Sequence, residues 1–182
     1  MSLRIGGIAA LIGAPVWVGG FVVASGVVGD VDARTAAAMI VPGSLALLVA
    51  LVGLSAFQAR VQPVLSWMAF ALPAVGTIGL TVGALGVALG RAEFTDAFYF
   101  GLMTFFVGSL LFAIATYLAA VLSRPAAVLL GAAPLLAIAG GSGEGLSEVV
   151  TVAALACFTL GWCALGVQAI RQDQPANAPR PA

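Results

Sequence analysis

The sequence predicts an all-α integral membrane protein with six transmembrane helices, arranged as three antiparallel hairpins with both termini in the cytoplasm. Hydrophobic residues make up 62% of the 182-residue chain and charged residues only 8%, whereas average soluble domains are about 25% charged. The apolar residues form six long stretches, and nearly every charge lies in a gap between them. Arginine predominates in alternate gaps, as it does in short loops that stay in the cytoplasm.

The six apolar stretches are predicted to be helices because backbone groups in lipid must be satisfied within the segment itself. A helix crosses the hydrocarbon layer with about 17 to 25 residues, at a rise of about 1.5 Å per residue. The predicted spans are residues 5–28, 37–57, 63–89, 98–122, 126–141 and 149–170. The fifth span is the shortest and contains both glycine and proline, so the sequence does not define its limits.

The charges between the spans predict the orientation of the helices. Five of the seven arginines lie in the basic gaps and the C-terminal tail, namely Arg4, Arg60, Arg124, Arg171 and Arg180. Six of the seven acids lie in the other gaps, namely Asp30, Asp32, Glu93, Asp96, Glu144 and Glu148. We therefore expect both termini inside the cell and the acidic loops outside it.

Composition also predicts a location and excludes one class of partner. All seven cations are arginine, and the chain is rich in Ala, Val, Gly and Leu, as expected for a GC-rich prokaryotic gene. We expect a multi-pass protein of the cell (plasma) membrane, with the lipid bilayer as its main partner. The net charge of zero argues against a nucleic-acid partner, which would require a basic face.

Residues 1–171 are predicted to form the six-helix transmembrane domain, and residues 172–182 a disordered cytoplasmic tail. The tail is rich in proline and polar residues and has no apolar surface to bury. A signal peptide cleaved after Ala24 is an alternative for the first span. The apolar run continues to Val28, however, and the alternation of charges favours a retained helix.

Small residues on the third span predict a helix-packing face. Glycines recur at alternating spacings of three and four, at Gly76, Gly79, Gly83, Gly86 and Gly90. This spacing places them on one side of a helix. In lipid, such a small-residue face permits close approach of a second helix.

The fourth span carries a matching period of large and small residues. Its members are Phe98, Gly101, Phe105, Gly108 and Phe112. If the chain reverses about Phe94, the predicted pairs are Phe98 with Gly90, Phe105 with Gly83, and Phe112 with Gly76. The alternative is that the glycine face admits a lipid, a hydrophobic ligand or a partner helix.

Prolines within the odd-numbered spans predict a second candidate site, near the middle of the membrane. Pro15, Pro73 and Pro134 each remove a backbone donor and free a carbonyl one turn earlier. Together with Trp17, Thr77 and Thr81, these carbonyls could line a small polar site between the hairpins. Transporters bind substrates at broken helices of this kind, but a simple kink satisfied by neighbouring helices is the alternative.

The residue types that are missing exclude several kinds of chemistry. The chain has no His and no Lys, which removes His-based general bases, most zinc sites and amine nucleophiles. No ionisable residue falls in the central part of a span, although proton relays depend on such residues. We therefore predict no catalytic residue, no cofactor, no metal site and no proton-coupled transport.

Three hypotheses of function follow from these patterns. The first is a non-enzymatic membrane subunit that associates through its helices with itself or with a larger membrane complex. The second is a small facilitator or channel for a neutral or hydrophobic solute. The third, a membrane-embedded enzyme, would have to use loop carboxylates such as Glu93, Asp96, Glu144 and Glu148.

Overall fold

The computed structural model describes residues 2–24, 31–140 and 147–173. The described chain is all-helical, as predicted, and contains six α-helices. They are α1 (Leu3–Ala24), α2 (Ala33–Gln58), α3 (Pro63–Ala88), α4 (Thr95–Ala119), α5 (Arg124–Gly140) and α6 (Ser147–Gln172). A single 3-10 turn, Ala92–Phe94, leads into α4.

Five of these helices are long and apolar enough to cross a membrane: α1, α2, α3, α4 with its preceding turn, and α6. The fifth helix, α5, has 17 residues. At about 1.5 Å per residue it is about 26 Å long, slightly less than the hydrocarbon thickness of about 30 Å. Length and composition therefore identify a membrane protein.

The described helix boundaries differ from the predicted limits by at most four residues, and two of these differences have local reasons. Helix α4 ends at Ala119, three residues before the predicted limit, because Ala120 adopts a left-handed backbone with φ of 53°. Helix α5 begins at Arg124 rather than at residue 126, since the Ser123 hydroxyl accepts a hydrogen bond from the Ala126 backbone NH at 3.4 Å.

Parts of several predictions lie outside the described residues. These parts are residues 25–28 of the first span, residue 141 of the fifth span, the predicted outer acids Asp30 and Glu144, and residues 174–182 of the tail, with Arg180. Gln172, the first residue of the predicted tail, is the last residue of α6.

Asp32 fixes the beginning of α2. Its carboxylate accepts hydrogen bonds from the Thr35 backbone NH at 2.8 Å and from the Thr35 hydroxyl at 3.1 Å. These bonds satisfy one of the free NH groups of the first helical turn. They also favour the ionised carboxylate and so lower the pKa of Asp32.

The six helices form a closed ring. Each helix packs against the next one in sequence, and α1 packs against α6. Residues of α1 and α2 meet in reverse order, with Gly6 against Gly53, Gly13 against Ala46, and Gly20 against Ile40. At the other seam, the Arg4 backbone NH donates to the Asp173 carboxylate at 3.1 Å.

The reverse order of the contacts gives the ring two chemically different ends. The basic end carries Arg4, Arg60, Arg124 and Arg171, together with Asp173. The acidic end carries the described acids Asp32, Glu93, Asp96 and Glu148, together with Arg34 and Arg91.

An aromatic column fills much of the centre of the ring. We define it as Trp17 of α1, Phe105 and Phe112 of α4, and Phe158 and Trp162 of α6, all of which are at most 1% exposed. The Trp17 and Phe158 centroids lie 4.9 Å apart, and the rings of Phe112 and Trp162 stack at 5.8 Å. The column therefore joins three helices that belong to different parts of the chain.

Candidate functional site: an aromatic pocket at the acidic end

A cavity of about 480 Å³ lies among α1, α4, α5 and α6, between the aromatic column and the acidic end. We call it the aromatic pocket. Sites for small molecules usually have volumes of about 300 to 1,000 Å³ and mostly apolar walls. The aromatic pocket has both properties.

Small side chains leave the space open. Helix α5 contributes Ala133 and Ala137 to the lining, and α6 contributes Ala154. Each of these positions would take up part of the cavity if it carried a leucine or a phenylalanine. The shape of the pocket is therefore a property of the sequence of α5 and α6.

Four aromatic rings line the pocket: Trp17 and Phe21 of α1, Phe106 of α4 and Phe158 of α6. Trp17 lies at their centre, with its centroid 4.3 Å from Phe21, 4.9 Å from Phe158 and 6.3 Å from Phe106. The Phe106 ring stands edge-on to Trp17, at an interplanar angle of 86°. Because three helices supply these rings, the aromatic wall exists only in the assembled ring of helices.

The polar part of the lining is at the beginning of α6. Glu148 lies in the first turn of this helix and is exposed, and Thr151 follows one turn later. Among the described residues that line the pocket, Glu148 is the one charged residue. The helix dipole favours a carboxylate in this position. Helix α6 begins at Ser147, two residues before the predicted start, and this places Glu148 on the helix.

The predicted glycine face lies against α4. A Cβ on Gly76 would collide with the backbone of Phe105, and a Cβ on Gly83 with the backbone of Phe98. A Cβ on Gly79 would lie 3.3 Å from the Cα of Gly101. The two helices are therefore in backbone contact along this face.

The predicted register between α3 and α4 is wrong by about two turns. Phe105 meets Gly76 rather than Gly83, and Phe98 meets Gly83 rather than Gly90. The reversal is centred near Gly90 and not at Phe94, because α3 ends at Ala88. The remaining glycines of the two faces follow the same register, with Gly86 against the Phe94 ring and Gly108 against Pro73.

Gly90 terminates α3 instead of belonging to its packing face. Its φ is +78°, its NH donates to the Val87 carbonyl at 2.9 Å, and the Arg91 NH donates to the Gly86 carbonyl at 3.0 Å. These two bonds form a Schellman motif, in which glycine is the favoured left-handed residue. The Arg34 guanidinium lies beside Gly90, where it interacts favourably with the helix dipole.

Phe112 also differs from its predicted pairing with Gly76. Its ring is 1% exposed and stacks on Trp162 of α6 at an interplanar angle of 11°. Phe112 therefore contributes to the aromatic column.

Threonines of the predicted midplane site bond to their own helix. The Thr77 hydroxyl donates to the Pro73 carbonyl at 2.6 Å, and the Thr81 hydroxyl donates to the Thr77 carbonyl at 2.7 Å. Both hydroxyl protons are thereby used within α3, and Pro73 itself is buried against Gly108 of α4.

The other members of the midplane set are dispersed around the ring. Pro15 is exposed on α1, whereas Pro134 is buried in α5. Of the six predicted residues, Trp17 alone is among the described residues that line the aromatic pocket.

Phe21, Phe106 and Phe158 were not predicted as site residues. Trp17 and Phe21 are four residues apart and therefore share a helix face, which was an available signal for one wall. The positions of Phe106 and Phe158 relative to Trp17 depend on how α1, α4 and α6 pack together. No local pattern in the sequence predicts that packing.

Among the described residues that line the pocket, the side-chain polar groups are one carboxylate and one hydroxyl, at Glu148 and Thr151. Within residues 2–24, 31–140 and 147–173, no group of three or more His, Cys, Asp or Glu side chains could hold a metal ion.

No protein-family model, no curated protein and no solved structure gives a significant match to this chain. The class of protein is therefore defined by the fold: an all-helical membrane protein with five long apolar helices and one shorter one.

Proposed function

We propose that this chain is a non-enzymatic membrane protein of the facilitator type, which binds a small hydrophobic solute in the aromatic pocket. The main observation that supports this proposal is the cavity of about 480 Å³ with aromatic and aliphatic walls. In lipid, neighbouring helices gain little by leaving a cavity between them, because packing is what holds them together. A solute that fills the cavity would supply the missing contacts.

The proposed topology places all six helices across the plasma membrane as three antiparallel hairpins with both termini cytoplasmic. The arginine asymmetry supports this orientation, and the reverse order of the contacts between successive helices supports the hairpins. The aromatic pocket then lies on the side of the aromatic column that faces the outer surface.

The aromatic column favours a facilitator with a binding site over an open channel. Its rings Trp17 and Phe158 form part of the pocket wall, and the column continues toward the basic end with Phe105, Phe112 and Trp162. A solute held beside Trp17 would need movement of these rings to continue toward the cytoplasm. Passage would therefore be gated by helix or side-chain motion.

Association with a second copy or with a larger membrane complex is the other candidate from the sequence. It was based on the glycine face of α3, the phenylalanine face of α4 and the missing chemistry, and these two faces are in contact with each other within the chain. An association interface would therefore have to use another surface of the ring.

Binding of a neutral fluorescent probe tests the proposal. Purified protein in phosphatidylcholine nanodiscs is titrated with N-phenyl-1-naphthylamine, whose emission rises in apolar sites. We expect saturable binding by the wild type and at least about tenfold weaker binding by Ala137→Phe, because the new ring occupies the cavity.

The matched control is Ala71→Phe, since Ala71 is exposed on α3 and does not line the pocket. It should bind the probe as the wild type does. Probe binding that is unchanged in Ala137→Phe, or absent from the wild type, overturns the proposal.

A further inference from the structure

We propose that the solute of the aromatic pocket is a lipophilic organic cation, held by the Glu148 carboxylate and the aromatic rings around Trp17. This inference rests on the proposed function and names the chemical class of its ligand. It follows from the charge of the rim, the composition of the wall and the charges around the opening.

The charge of Glu148 at the edge of the pocket is the first argument. Glu148 is the one charge among the described lining residues, and the remainder of the lining is apolar except for Thr151. Glu148 is exposed at the edge of the pocket, so its carboxylate stays hydrated when a neutral solute is bound. A cationic solute gains in addition the attraction between its own charge and the carboxylate.

The wall of the pocket supplies the second argument. A cation is attracted to the face of an aromatic ring within about 6 Å of its centroid, most strongly to tryptophan. Here Phe21 and Phe106 are the partly exposed rings of the wall, and their centroids lie 4.3 and 6.3 Å from that of the buried Trp17. Clusters of such rings recognise quaternary ammonium groups, which are too large and too weakly hydrated to require hydrogen bonds.

The charges around the opening give the third argument. At the acidic end, the described acids Asp32, Glu93, Asp96 and Glu148 outnumber the arginines Arg34 and Arg91. A surface with an excess of one sign concentrates ligands of the opposite sign. No arginine is among the described residues that line the pocket, so a bound cation meets no like charge there.

The test compares two ions of the same shape and opposite charge. Tetraphenylphosphonium and tetraphenylborate are titrated by calorimetry into the full-length protein in phosphatidylcholine nanodiscs, which carry no net lipid charge. We expect the wild type to bind the cation at least about tenfold more tightly than the anion.

Two variants locate the source of the preference. In Glu148→Gln the affinity for tetraphenylphosphonium should fall at least about tenfold, while the neutral probe N-phenyl-1-naphthylamine still binds as in the wild type. Glu93→Gln is the matched control, since Glu93 is an exposed acid of the same end that does not line the pocket. It should keep both affinities.

The outcomes separate this inference from the proposed function. If the neutral probe binds but the wild type prefers neither ion, or Glu148→Gln keeps the preference, the solute class is wrong and the binding function remains. If Glu148→Gln loses the neutral probe as well, the carboxylate maintains the pocket itself and the assignment is overturned. If no probe binds to the wild type, the proposed function fails together with the inference.

Discussion

Gly83 of α3 and Phe98 of α4 are in direct backbone contact, so that the backbone nitrogen and Cα of Phe98 occupy the space where a Cβ on Gly83 would lie. The two backbones therefore limit how closely α3 and α4 can approach each other. Gly19 of α1 is the opposite case, because no atom lies within 4 Å of the position of its Cβ.

We predict that Gly83→Ala and Gly19→Ala change stability in opposite directions. Alanine is favoured over glycine within a helix by about 1 kcal/mol, so Gly19→Ala should stabilise the protein. In Gly83→Ala the added methyl group forces α3 and α4 apart, at an expected cost of about 1 to 3 kcal/mol. Thermal unfolding in detergent measures both, and equal shifts of the two variants would contradict the backbone contact.

The orientation in the membrane is testable by chemical labelling. In a background without Cys157 and Cys163, single cysteines are placed at four exposed positions, namely Ala33, Ala92, Val61 and Gln172. The first two lie at the acidic end and the last two at the basic end. A membrane-impermeant maleimide should label intact cells at the acidic-end positions only. Labelling restricted to the basic-end positions would reverse the proposed topology.

A buried hydrogen bond joins α2 to α4 near the basic end. The Gln58 side-chain amide donates to the Thr116 hydroxyl at 2.8 Å, and both residues are 0% exposed. Thr116→Val keeps the shape of the side chain but leaves the amide without this acceptor. Because an unpaired buried donor costs about 1 to 3 kcal/mol, we expect a clear loss of thermal stability.

A double-mutant cycle with Gln58→Leu isolates this contact. Side-chain hydrogen bonds between membrane helices couple by about 0.6 kcal/mol on average, with a maximum of about 1.7 kcal/mol, and we expect a value within this range. Thr81→Val is the control, because the Thr81 hydroxyl donates within its own helix. A coupling energy of zero between Gln58 and Thr116 would mean that the bond does not stabilise the fold.

The Asp32 cap predicts a pH-dependent contribution to stability. Backbone and side-chain hydrogen bonds from Thr35 lower the pKa of Asp32 in the folded protein. The unfolded chain therefore binds this proton more readily, and the contribution present at neutral pH is lost below about pH 4, as the carboxyl becomes protonated. Asp32→Ala should lower the unfolding temperature at pH 7, and this difference from the wild type should shrink progressively as the pH falls below about 4.

Asp32→Asn distinguishes titration from capping, because asparagine caps a helix without a titratable group. Its unfolding temperature should stay close to that of the wild type at pH 7. If the difference between Asp32→Ala and the wild type were the same at pH 7 and pH 3, the carboxylate would not be responsible.

The helices could be predicted from the sequence because each one corresponds to a continuous stretch of apolar residues. Even α5 was located within two residues of its beginning, although it is short and contains Pro134. Periodicity also predicted the spacing of glycines along α3. What it could not give is the register with α4, since that depends on the left-handed turn at Gly90.

The aromatic pocket could not be predicted for a related reason. Its rings come from α1, α4 and α6, and their meeting depends on the closure of the whole ring of helices. Gln58 was missed because a glutamine beside a predicted span is usually at the surface, whereas here it is fully buried. Both cases depend on tertiary contacts that have no signature in the local sequence.

The shortness of α5 has a consequence for the lipid around the protein. Helices of 26 residues are about 39 Å long, and they fit a hydrocarbon layer of about 30 Å by tilting or by extending their ends into the headgroup region. Helix α5, with 17 residues, is shorter than this layer even when it stands upright, so the bilayer beside it would have to thin. Because α5 also forms one wall of the aromatic pocket, we expect the width of that pocket to depend on the acyl-chain length of the lipid.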